Sequence, residues 1–380
     1  ALYISPTSFT NNGTLRATAG TTNLTSTNLT LTAGSTLEVA GGTLTIDPTN
    51  AWSNLGALNL GSGTLNLGSS FTLADMGSYS RSGGTLNVTG VLDLQNSATP
   101  LDIGTNGQFG VGGLGTLSGT IRNGTLVAGA DNKTLTSSSG TLDNVTIGSS
   151  LNESGPLNVA GNLTLADGVN FNTGASTVYF SAAAANIQLA AGASAATLTH
   201  TGYLYSNRNN NNGVVTIGSG VTLAGSGGLS HYYGNGGWVN NGTILNDTAG
   251  VLYITPTYFT NNGTVRATST GAVNVTPTNL TQAGAMTNDG SGTFSIDPGS
   301  AWTNSGTIAN NSGTLTLDAA NYTAKITNAG SLALNAGTLN LGGSTILSDV
   351  LLSAGFTRAA GTTLNVTGVL DLQNSATPLD

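Results

Sequence analysis

Gly63-Thr64-Leu65-Asn66-Leu67 returns as Gly313-Thr314-Leu315-Thr316-Leu317, offset by 250, and once more as Gly337-Thr338-Leu339-Asn340-Leu341. Longer echoes bracket these three. LYISPTSFTNNGTLRAT, from Leu2 to Thr18, comes back from Leu252 to Thr268 as LYITPTYFTNNGTVRAT, also offset by 250. NVTGVLDLQNSATPLD, from Asn87 to Asp102, recurs unchanged from Asn365 to Asp380, offset by 278. The second copy has therefore gained a block as long as Gly313–Ala336, and four more positions enter before Asn365. A closed globular core would not absorb such a block without repacking throughout. A stack of layers absorbs it easily, because each layer touches only its neighbours.

A layer marker supports this period. It consists of a large apolar residue, Thr or Val, Asn, any residue and Gly. It occurs from Trp238 through Asn240 to Gly242, from Phe259 through Asn261 to Gly263, from Met286 through Asn288 to Gly290, from Trp302 through Asn304 to Gly306, and from Ile326 through Asn328 to Gly330. These glycines are unevenly spaced, widest from Gly263 to Gly290 and closest from Gly290 to Gly306, around a mean of about 22 residues. In the first copy, Phe9, Asn11 and Gly13 have the same form as Trp52, Asn54 and Gly56, at a separation that corresponds to two layers. Between markers run short alternating segments, each with one buried and one wet face: Thr14–Ala17, Asn28–Leu31, Thr43–Ile46, Thr64–Leu67, Thr85–Val88 and Val91–Leu94. No window carries helical periodicity. The expected fold is all-β, a parallel right-handed β-helix (β-solenoid) of roughly 22 residues per coil and about 17 coils, each about 4.8 Å thick. Stacked Asn side chains are expected to bond along the axis, and the Gly after each Asn to supply a positive φ.

The expected organisation is one continuous solenoid over residues 1–380, with repeat copy 1 running to about residue 250 and a partial copy 2 from about 251. Residues about 182–237 lack the marker and carry an Asn-rich run from Asn209 to Asn212, so they read as coils with elaborated loops. Only 8 basic and 16 acidic side chains are present, for a net charge of −8, with 56 Gly and no Cys. The acidic balance argues against nucleic acid and anionic membrane surfaces as partners. No apolar run approaches the roughly 18 residues of a membrane span. Absence of cysteine suits a chain exported unfolded across a bacterial outer membrane, where a disulfide would obstruct passage.

The FTNNGTL and WVNNGTI markers, with the repeated GTLNLG and NLTL segments, resemble the β-helical regions of large bacterial exoproteins. These include autotransporter passengers, filamentous-haemagglutinin-like proteins and giant repeat-rich surface adhesins. The resemblance covers nearly the whole chain and identifies an architecture. It implies an extracellular or cell-surface protein, and it transfers no binding residues.

Glycan-cleaving β-helices need two or three carboxylates converging on one face. Here Asp47 and Asp297 are equivalents in an Ile-Asp-Pro motif, as are Asp93 and Asp371 in the identical block, so they read as turn residues. No metal, phosphate-loop or triad pattern occurs, and neither a cofactor nor a metal is expected. His200 and His231 flank the unmarked region and could share one side. With Tyr203, Tyr205, Arg208, Tyr232 and Tyr233, His231 forms a candidate patch for a surface glycan or for a neighbouring rod. The leading expectation is a non-enzymatic structural shaft of an extracellular fibre or adhesin whose partner is itself. The alternative is a carbohydrate-binding or polysaccharide-cleaving β-helix centred on the Tyr/His/Arg region.

Overall fold

A computed structural model describes residues 1–317 and 326–373. The repeated block from Asn374 onward lies outside the described residues. The chain is an all-β parallel β-solenoid of about 17 turns at roughly 21 residues per turn, with 2% helix. It divides into two compact units, Ala1–Ser176 and Thr177–Asp380.

In the first unit, strands Thr21–Leu24, Thr43–Ile46, Thr64–Leu67 and Thr85–Val88 stack in parallel, with Thr21, Thr43, Thr64 and Thr85 in register. Alternation sends Leu44, Leu65 and Leu86 inward to about 1% exposure or less. Full burial of each leucine is worth about 2 kcal/mol. The outward positions bond along the stack, Asn66 Nδ2 to Thr45 Oγ1 at 3.2 Å and Asn87 Nδ2 to Asn66 Oδ1 at 2.9 Å. A second face carries Thr14–Ala17, Thr36–Val39, Ala57–Leu60 and Ser78–Arg81. A third carries Ser8–Asn11, Asn28–Leu31 and Ser53–Asn54, with Asn11 level with Leu31 and Leu31 with Asn54. The separation of the Asn11 and Asn54 markers thus spans two layers. All six alternating segments are strands, the last one residue shorter than expected, at Val91–Asp93.

In the second unit the marker builds one column. Strands Gly237–Asn240, Tyr258–Asn261, Asn279–Gln282, Trp302–Asn304 and Ile326–Asn328 follow one another in register. Trp238, Phe259, Leu280, Trp302 and Ile326 are buried along it. Beside them Asn240 Nδ2 donates to Asn261 Oδ1 at 2.8 Å, Asn261 Nδ2 to Gln282 Oε1 at 2.9 Å, and Asn304 Nδ2 to Asn328 Oδ1 at 2.8 Å. Gln282 carries one more methylene than Asn, and its Nε2 turns to Gly284 O at 2.9 Å, which interrupts the amide chain. Asn240 and Asn304 also pin their own turns, accepting the Gly242 and Gly306 N–H groups at 3.2 Å, as Asn54 Oδ1 in the first unit accepts the Gly56 N–H at 2.9 Å.

Two expectations are corrected. Met286, Asn288 and Gly290 do not belong to this column, because strand Ala285–Asn288 pairs with Thr264–Ala267 and Thr307–Asn310 on another face. There Asn288 Nδ2 donates to Asn310 Oδ1 at 3.0 Å, forming a second buried amide column. The in-register glycine is Gly284, after Gln282, so the series runs Gly242, Gly263, Gly284, Gly306, Gly330 and the irregular spacings disappear. Nor do the marker glycines adopt positive φ. A Cβ at Gly263 would collide with Gly242 O, one at Gly306 with Gly284 O, and one at Gly56 with Ser35 O. Glycine is required there by the closeness of the neighbouring layer, not by backbone conformation.

The inserted block is one layer. Strand Thr314–Leu317 pairs with Thr338–Leu341, Thr314 opposite Thr338 and Thr316 opposite Asn340, a step of 24 residues. The four further positions lie in the next turn. Asn66 steps to Asn87 over 21 residues, whereas the equivalent Asn340 steps to Asn365 over 25. Where the first copy makes the 3-10 turn Ala74–Met76, the second makes the helical turn Leu347–Val350 and continues through Leu351–Ala354 to Gly355.

Joining Gly313 to Thr338 removes this layer whole. The shortened chain is expected to keep its circular dichroism per residue and its melting midpoint within a few degrees, whereas a deletion half as long abolishes strand order beyond the cut. Asn261→Ala leaves Gln282 Oε1 and one N–H of Asn240 Nδ2 without a partner, the other N–H keeping Thr264 O at 3.0 Å, and should lower local stability by about 2 kcal/mol, read by amide exchange in strands Gly237–Asn240 and Asn279–Gln282.

Candidate functional site

The candidate patch forms in the second unit, where coils are longer. Strand Val178–Phe180 pairs with Tyr203–Ser206, Val178 opposite Leu204 and Tyr179 opposite Tyr205. Tyr203–Ser206 pairs in turn with Gly227–His231, Tyr203 opposite Gly228. Both steps exceed the one from Thr43 to Thr64 in the first unit. Val178, Phe180, Leu204 and Leu229 point inward, so alternation turns Tyr179, Tyr203 and Tyr205 outward. Register brings the Tyr179 and Tyr205 rings into a stack, with centroids 5.6 Å apart at 15°. Tyr203 stacks on Tyr205 at 5.5 Å and 13°. Gly228 makes room for it, since a Cβ there would collide with the Tyr203 ring.

Two loops complete the cluster. Asn207, buried and at φ 61°, accepts the backbone N–H groups of Asn211 at 2.6 Å and Gly213 at 3.1 Å through Oδ1, and donates through Nδ2 to Tyr233 O. This knot fixes the next residue, Arg208, whose N–H bonds Phe180 O at 3.0 Å. The Arg208 guanidinium lies 4.5 Å from the ring centres of both Tyr179 and Tyr232. Tyr232 meets Tyr179, Tyr205 and Tyr233 edge to face, at 5.1, 5.6 and 4.5 Å. Burial, then the neighbouring Tyr203, Tyr179 and Tyr232, raise the Tyr205 pKa above the phenol value. The structure therefore brings together Tyr203, Tyr205, Arg208, Tyr232 and Tyr233. It adds Tyr179, which sequence reasoning missed because only the fold places it beside Tyr205.

The two histidines do not share a face. His231 ends its strand opposite Ser206, with Nδ1 buried and unpartnered. His200 continues the inward series Ala196, Leu198 of strand Ala196–His200 and is fully buried. Its Nδ1 faces Gly202 O at 3.5 Å and its Nε2 has no partner. Burial pushes its pKa from 6.5 to about 4, against the pull of that carbonyl. In the first unit, Glu153 points inward from strand Leu151–Ser154 with neither carboxyl oxygen hydrogen-bonded. Burial pushes its pKa from 4.5 to about 8, only partly offset by the nearby Ser176 hydroxyl.

The aspartates act in turns and between layers. Asp47 Oδ1 accepts the Ser69 N–H at 2.9 Å, and Asp371 Oδ1 the Gln373 N–H at 2.9 Å. Asp93 binds the Gln95 N–H, Asn123 Nδ2 and Arg122 Nε at 2.9, 3.2 and 2.9 Å. These bonds outweigh partial burial and hold its pKa below the usual carboxylate range. No group of three or more His, Asp or Glu side chains able to hold a metal ion occurs among the described residues. No known protein family, curated protein or solved structure matches the chain.

The two buried groups respond to acid with opposite signs. Glu153 keeps its proton in the fold up to about pH 8 but loses it near 4.5 when unfolded, so its contribution is fully present below 4.5 and is lost between 4.5 and 8. His200 stays neutral in the fold down to about pH 4, so its contribution is present above 6.5 and is lost as pH falls towards 4. Glu153→Gln should flatten amide-exchange protection of strand Leu151–Ser154 between pH 5 and 8 and raise it at pH 8. His200→Leu should flatten the acid loss in strand Ala196–His200 and leave the other strand unchanged.

Proposed function

We propose that this chain is a non-enzymatic structural segment: part of the rigid shaft of an extracellular bacterial fibre or surface adhesin, able to pack against identical shafts. The observation that carries the reading is the single-layer step from Thr314 to Thr338, equal to the block the second copy gained. A chain selected for reach tolerates, and benefits from, the addition of a whole layer. The buried amide columns support the same reading. An unpaired buried amide costs about 1–3 kcal/mol, against about 0–1 kcal/mol for an exposed ion pair such as Arg16–Glu38, so layer-to-layer cohesion rests on the interior and is little affected by salt.

Secretion motivates the sharpest test. Antibodies raised against the chain should label intact, unpermeabilised cells of the source organism, and protease added outside those cells should remove the label. Labelling that appears only after permeabilisation would overturn the reading.

A further inference from the structure

We propose that the tyrosine and arginine cluster of the second unit is a binding site for an acidic saccharide, a glycan of carboxylate-bearing pyranose rings. The first ground is a cation without a counter-charge. Arg16, Arg122 and Arg266 pair with Glu38, Asp93 and Asp289. Arg81 and Lys133 donate to backbone carbonyls, and Arg358 to Thr362. Among the described residues, Arg208 alone of the basic side chains does neither. The faces of Tyr179 and Tyr232 hold its guanidinium at 4.5 Å and leave its N–H edge without a protein acceptor.

The second ground is the shape of the surroundings. Tyr203, Tyr232 and Tyr233 remain 39, 38 and 48% exposed although each is in ring contact with another tyrosine. The strands and the Asn207 knot hold these rings rigidly, so little side-chain entropy remains to be lost on binding. Flat aromatic faces stack on the C–H face of a pyranose, and phenol hydroxyls bond its rim. The Tyr179 and Tyr232 rings stand at 89° to each other and hold the guanidinium in the corner between them, and its free N–H groups can meet a planar carboxylate, where two parallel N–H···O bonds form. The chain carries a net charge of −8, so a polyanion is repelled overall and needs a local unpaired cation such as Arg208 to bind.

This inference does not depend on the shaft reading, since either can fail without the other. The test uses the full chain with hexagalacturonate and its methyl ester as probes, followed by titration calorimetry. The wild-type chain should bind the acid about tenfold or more tightly than the ester, with the difference shrinking as salt is raised. Arg208→Gln should remove that preference and bind both probes like the ester. Tyr203→Ala with Tyr232→Ala should weaken both, with circular dichroism unchanged. The acid-versus-ester comparison on the unmutated chain needs no variant to fold. Equal binding of the two probes, binding of neither, or an unchanged preference in Arg208→Gln would each overturn the proposal. So would sedimentation showing self-association that Arg208→Gln abolishes while no probe binds, which would assign the patch to a second copy of the chain.

Discussion

Repetition at a fixed step governs this fold, because every layer must place its backbone N–H groups under the carbonyls of the one before. Once Thr43, Thr64 and Thr85 stand in one file, all residues at that phase share an environment. Leucine above leucine fills the interior, amide above amide closes hydrogen bonds, and glycine above glycine lets two turns approach. A shift of one position would reverse every side chain between core and solvent. Extra residues therefore enter as complete layers or at turns, as with the layer ending before Thr338 and the loop Leu351–Ala354.

Strand segments, period and architecture were legible because they depend on alternation and on repeat offsets, both visible in one chain. Phase between columns was not. Asn288 and Asn304 sit in similar local strings, yet they belong to different faces. The true member of the marker column, Gln282, does not look like an asparagine. The role of the marker glycines was likewise hidden, since close approach to Gly242 O or Gly284 O is a relation between layers. Sequence offers a reason for glycine only within its own turn.

Site residues divide in the same manner. Tyr203, Tyr205, Arg208, Tyr232 and Tyr233 were visible as an aromatic and basic cluster in a region without markers. Tyr179 joins them across a long coil, opposite Tyr205, and no local pattern announces that pairing. The side on which His200 lies was left open although a signal existed, since Ala196, Leu198 and His200 alternate on one side of a strand. Glu153 left no comparable clue. A lone acid between Asn152 and Ser154 looks solvated until its strand is placed with that position facing inward.

The direction of the hydrogen bonds between layers has a mechanical consequence. Each bond from one coil to the next runs along the stacking direction, so tension applied in that direction loads one coil at a time instead of shearing many together. An end coil that peels away exchanges about 4.8 Å of stacked height for about 70 Å of extended chain, at roughly 21 residues per turn. Layers of this kind, stiff while intact, would give under a sharp pull by releasing chain coil after coil at nearly constant force.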